Sequence, residues 1–151
     1  MESLNFEQGP IRPPSEAHSF LLRVTRNCPW NRCEFCHTYK GKKFSLRTVE
    51  EVKRDIDRVR EIISEMKALS WQYGFSGEIT APLVNLILQN PQHYPEGFRS
   101  TALWLYSGGK NVFLQDGNNL VLRTDDLVEI LRYLKGTFSS IERITSYARA
   151  K

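Results

Sequence analysis

Three cysteines stand within nine consecutive residues, in the order Cys28-Pro-Trp-Asn-Arg-Cys33-Glu-Phe-Cys36, a C-x4-C-x2-C pattern. Thiolates are soft ligands, and three of them on one loop select an iron–sulfur cluster, zinc or Cu(I). A cubane cluster has four irons, so three protein ligands leave one iron open to a non-protein ligand. Zinc held by the three cysteines and His37 is the alternative chemistry. Against it, His37 directly follows Cys36, and no separated second ligand pair of the zinc-finger kind follows. The cysteines total three, an odd number, which argues against a disulfide framework and for metal chemistry in a reducing, cytoplasmic compartment.

A loop of this kind needs rigid elements on either side. Residues 19–25 are rich in branched and aromatic side chains and read as a buried strand running directly into the cysteines. After the loop, Val49, Val52, Ile56, Val59, Ile63 and Met66 recur every three or four positions and predict an amphipathic helix. Thr48 and Glu51 form a capping box at its start, and Gly74 and Gly77 mark its end. Shorter helices are predicted over 81–89, with Pro82 in the first turn and Pro91 as the stop, and over 101–106 up to Gly108-Gly109. A second strand covers 111–115 and opens into the turn 116–119. Thr124 caps a last helix with Asp125 and Asp126 in its first turn and Leu127, Ile130, Leu131 and Leu134 facing the core. A third strand is predicted over 141–147.

Strand, helix, strand, helix, strand is the alternation of an α/β fold with a parallel sheet and helical crossovers. Residues 1–17, with Pro10, Pro13 and Pro14, form an extended entry segment, and residues 18–151 form the domain. The third strand is expected to lack a following helix, so the sheet reads as the N-terminal portion of a larger one.

The cysteine loop resembles that of the radical S-adenosylmethionine (SAM) enzymes, whose usual pattern is C-x3-C-x2-C with an aromatic residue before the last cysteine. Phe35 takes that aromatic position, and one extra residue separates Cys28 from Cys33. In that family the loop follows the first strand of a partial (β/α) barrel, as it follows 19–25 here. The resemblance implies a [4Fe–4S] cluster on Cys28, Cys33 and Cys36, with SAM chelated to the open iron. It implies one-electron cleavage of SAM to a 5′-deoxyadenosyl radical that abstracts hydrogen from a substrate, fed by a donor such as flavodoxin or ferredoxin.

The same resemblance implies roles for further residues. Phe35 would pack near the adenine, with Trp30 and Tyr39 shielding the cluster. The family's Gly-Gly-Glu segment after the second strand is replaced by Gln115-Asp-Gly-Asn118. There Gln115 or Asp116 would accept from the methionine ammonium and Gly117 would allow close approach. Ser146 would meet a ribose hydroxyl and Arg149 the carboxylate, through a bidentate pair. The two segments together look most like the branch containing oxygen-independent coproporphyrinogen oxidase.

Composition narrows the remaining classes. The chain has 151 residues, 40% hydrophobic and 25% charged, which suits one globular domain. It contains no apolar run long enough to span a bilayer and no secretory leader pattern. The net charge of +4 and the cluster Lys40, Lys42, Lys43 and Arg47 leave a nucleic-acid-binding module as a non-catalytic alternative, although no aromatic-basic module surrounds them. An inactive fragment that keeps the loop alone is the third reading.

Overall fold

The computed structural model describes residues 3–149. The expected domain end at residue 151 lies outside them. Three strands, β1 (Phe20–Leu22), β4 (Asn111–Leu114) and β5 (Arg143–Ser146), form a parallel sheet in the order β1-β4-β5. Register pairs Leu22 with Leu114 and Leu114 with Ser146, so the three strands end together. Four α-helices accompany the sheet among the described residues: α1 (Val49–Gln72), α2 (Ala81–Leu88), α3 (Glu96–Tyr106) and α4 (Thr124–Thr137). The alternation expected from the sequence is therefore present, as an open sheet rather than a closed barrel. Each strand of this sheet is added beside its predecessor, without reversal among the three.

The strand predicted over 19–25 is two strands. Phe20–Leu22 joins the parallel sheet, whereas β2 (Thr25–Arg26) turns away and pairs antiparallel with β3 (Ser45–Leu46). Pairs this short leave no periodicity to read. They are held instead by burial of Thr25, by the Arg47 N–H donating to the Val24 carbonyl, and by the ion pairs of Arg47. Together β2 and β3 close the base of the cysteine loop.

Helix α1 follows its sequence pattern closely. The Glu51 N–H donates to Thr48 Oγ1 at 3.2 Å and the Thr48 N–H donates to Glu51 Oε2 at 2.7 Å, completing the capping box. Past its end, Gly74 takes a left-handed φ of 79°. Its core face carries Ile62 instead of the expected Ile63, which is only partly buried. Because α1 packs against both α3 and α4, its buried face is wide enough to take in Ile62 at its margin. Helix α3 begins five residues before the expected 101, because Pro95 sets an extended backbone before its first turn. In α4, Thr124 is the first helical residue rather than the cap. Arg123 is the cap, and its carbonyl accepts the Leu127 N–H. Ile130 and Leu134 are buried as expected, with Leu127 and Leu131 at the margin.

The core lies between the sheet and the helices. Trp104 of α3 is its largest fully buried side chain, with ring centroids 5.3 Å from both Phe20 and Phe138. Phe6, from the extended entry segment, packs edge-on against Phe20 at 5.5 Å and so ties that segment to the domain.

Candidate functional site

The carboxyl ends of parallel strands are where crossing connections leave room for a ligand. Here β1 leads to Cys28, β4 to Gly117 and Asn118, and β5 to Arg149. All four residues line one cleft of about 440 Å³, together with Pro29, Trp30, Cys33 and Val121. The Arg149 guanidinium carbon lies 3.4 Å from the centroid of the Trp30 ring, and that of Arg32 lies 5.1 Å from it. One wall is therefore an indole carrying two cations.

All three cysteines are free thiols of intermediate burial. Cys28 and Cys33 line the cleft, but Cys36 does not. Its N–H donates to the Cys33 carbonyl at 3.2 Å, and its sulfur accepts the Tyr39 N–H at 3.5 Å. Backbone N–H groups, Tyr39 first and then Thr38, favour the Cys36 thiolate and lower its pKa, with Lys40 adding positive charge nearby. Among the described residues no three His, Cys, Asp or Glu side chains converge as a metal-ligand set.

Two asparagines in the left-handed region shape the loop, Asn27 at φ 68° and Asn31 at φ 46°. Asn27 Nδ2 donates to the Lys43 carbonyl, and Asn31 Nδ2 donates to the Lys42 carbonyl at 3.1 Å. The lysine turn is thus laced along the cysteine segment. Arg47, which the sequence grouped with these lysines, is buried and paired with Asp55 and Glu7, so it belongs to the frame and not to a basic surface.

The segment after β4 divides sharply. Gly117 faces the cleft without a side chain, and a Cβ there would stand 2.9 Å from Cys28 Sγ. Gln115 is fully buried. Its Oε1 accepts the Gly9 N–H at 2.6 Å, and its Nε2 donates to the carbonyls of Gly9 at 3.1 Å and Ile11 at 2.9 Å. Its amide thus fastens the entry segment and is spent on it, which corrects the expectation of a free acceptor for a ligand. Asp116 is also buried, at φ 75°, and accepts from Arg23 Nε at 2.7 Å, the Asn27 N–H at 2.9 Å and Tyr39 Oη at 2.7 Å. It too is withdrawn from the cleft. Burial, then the Asp116 hydrogen bond, push the Tyr39 hydroxyl far above its ordinary pKa.

Of the remaining expected contacts, Arg149 is at the cleft. Ser146 Oγ accepts from Asn119 Nδ2 at 2.9 Å and donates to the Tyr147 carbonyl. Phe35 is 82% exposed and outside the cleft lining. Sequence reasoning missed Asn119, a fully buried side chain that bonds Thr25, the Leu114 carbonyl and Ser146. It also missed Glu7, which pairs with Arg23, Arg26 and Arg47 beneath the loop. An acidic residue in a proline-rich entry segment carries no local signal of such a role. Compared with protein-family models, with curated proteins and with solved structures, the chain matches none.

Proposed function

We propose that the chain carries a radical SAM core region, in which Cys28, Cys33 and Cys36 hold a [4Fe–4S] cluster and the adjoining cleft receives SAM. The observation that carries this reading is the convergence of the cysteine loop, Gly117 and Arg149 on one cleft at the carboxyl ends of three parallel strands in sequential order. The donor set suits the group: there are three thiols and no fourth cysteine, with one of them already disposed toward thiolate. Gly117 lets the cysteine loop lie close against the end of β4, because a Cβ there would stand 2.9 Å from Cys28 Sγ. With cluster and SAM bound, the chemistry supplied is one-electron cleavage of SAM and hydrogen-atom abstraction from a substrate.

The chain's own residues bind, orient and exclude water. Cys28 and Cys33 already share the cleft, and Cys36, on the same loop, would be the third ligand. Arg149 sits at the lip, where its planar fork suits a carboxylate. Trp30, stacked against Arg149, lines the same cleft as Cys28 and Cys33 and adds an apolar wall to it. Phe35, so exposed on the loop, is free to cover a purine when the loop closes on a ligand. An electron donor of the flavodoxin or ferredoxin type and a cytoplasmic location follow from the same reading. Among the described residues, no helix is long and apolar enough to cross a membrane.

The test is anaerobic reconstitution with iron and sulfide. Close to one four-iron cluster per chain is expected, and replacement of Cys28, Cys33 or Cys36 by Ala should abolish it. SAM should perturb the electron paramagnetic resonance spectrum of the reduced cluster. A colourless protein that takes one tight zinc would replace this reading with the zinc module, and a full cluster in any single cysteine variant would overturn the ligand assignment.

A further inference from the structure

The cysteine loop is fastened at both ends by one carboxylate. Asp116 Oδ2 accepts the Asn27 N–H at 2.9 Å, immediately before Cys28, and Oδ1 accepts the Tyr39 hydroxyl at 2.7 Å, shortly after Cys36. Arg23 Nε supplies the counter-charge at 2.7 Å, while Arg23 Nη1 donates to Glu7 Oε1 at 3.1 Å and Nη2 to Asn27 Oδ1 at 3.3 Å. The carboxylate is 1% exposed, and Gly9 closes over it so tightly that a Cβ there would lie 2.6 Å from Oδ1. A buried carboxylate with three donors, one of them its ion-pair partner, is a strong, directional anchor. The backbone at φ 75° is one that Asp and Asn tolerate better than other side chains.

We propose that Asp116 is a positioning residue: it pins the two ends of the cysteine loop to the end of β4 and so sets the spacing of the thiols before any ligand is bound. Its significance for cluster assembly rests on the radical SAM reading, but the pinning itself belongs to the bare protein. Asp116 bonds to neither the cleft nor the thiols. It acts through Asn27 and Tyr39. The arrangement also accounts for the residue type: a neutral amide would aim an NH₂ group at one of three donors, and alanine would provide no acceptor.

The experiment uses Asp116→Asn, which keeps the shape and the backbone preference while removing the charge, and Tyr39→Phe, which removes one hydroxyl. In reduced protein without metal, alkylation of each cysteine is followed by mass spectrometry, and exchange of the Asn27 amide by hydrogen-exchange. In Asp116→Asn, exchange at Asn27 and alkylation of Cys28 and Cys36 should each rise about tenfold, the size expected for losing a charge-assisted hydrogen bond. In Tyr39→Phe the rise should be confined to Cys36. Ile130→Val, a core deletion on α4, should change none of the rates, which separates positioning from general loosening.

Rates unchanged in a folded Asp116→Asn would overturn the proposal, as would equal rises at Cys28 and Cys36 in Tyr39→Phe. If Asp116→Asn does not fold, the site-selective response of Tyr39→Phe decides. After reconstitution, Asp116→Asn is expected to retain iron while the line shape of the reduced cluster changes. A wild-type chain that takes up no iron would defeat the function proposed above and leave the alkylation result to judge the pinning.

Discussion

Gly117→Ala is the most direct perturbation of the cleft. An added Cβ would meet Cys28 Sγ at 2.9 Å, Cys28 Cβ at 3.1 Å and Cys28 Cα at 3.5 Å, so every close atom belongs to one residue. Relaxing the shortest of these separations to the ordinary value of about 3.6 Å requires a relative shift of about 0.7 Å. Because Cys28 Cβ, which side-chain rotation does not move, is itself only 3.1 Å away, rotating the thiol cannot relieve the whole clash, and the backbone has to move. The neighbouring Asn27 N–H is bonded to Asp116 at 2.9 Å, so that movement strains the anchor as well. Overpacking of this kind costs about 1–3 kcal/mol, and because the loop is half-exposed the lower end of that range is expected in a thermal melt. The effect on the site should be larger than the effect on the fold, since a ligand constellation tolerates displacements of only about 0.5 Å. The assay pairs the melting temperature with the rate of Cys28 alkylation and with iron and sulfide per chain after reconstitution. A variant that melts within a few degrees of wild type but binds less than half the iron is the expected outcome. Wild-type alkylation rate and iron content together would refute the claim that Gly117 is glycine for the sake of Cys28.

The frame beneath the loop should also respond to acid. Glu51 is held down to about 2, first by the Thr48 backbone N–H and then by Arg26, and Glu7 is lowered chiefly by Arg26. Carboxylates depressed in the folded state contribute stability above their unfolded pKa and lose it as pH falls toward the folded value, here from about 4.5 to about 2. Asp55, raised by burial, acts in the opposite sense and offsets part of that loss. Melts of Glu51→Gln should therefore depend less on pH below 4.5 than wild type, and parallel curves would show that Glu51 is not coupled to folding. In the core, Trp104→Ala should cost about 3–5 kcal/mol by chemical denaturation, because it empties the space between Phe20 and Phe138. A loss below about 1 kcal/mol would mean that the aromatic cluster collapses to refill it.

Much of this molecule is determined locally. The capping box and apolar stripe dictate α1, the branched segments dictate strands at Phe20–Leu22 and Asn111–Leu114, and Pro and Gly set the stops, because helices and strands bury periodic faces that a short window of sequence reveals. The soft-metal chemistry proposed for the three cysteines likewise rests on residue type and spacing alone. What local pattern cannot contain is pairing across long separations. Gln115 and Asp116 read as turn residues open to a ligand, yet they hold the entry segment and the loop, because Gly9, Arg23 and Tyr39 reach them only after the sheet forms. Arg47 reads as one of a basic run and is buried for the same reason, its partners Glu7 and Asp55 arriving from other elements. Burial of a polar group depends on partners that satisfy it. Tertiary structure alone brings those partners together, and so it alone separates Gly117 and Arg149, which face the cleft, from Gln115 and Asp116, which support it.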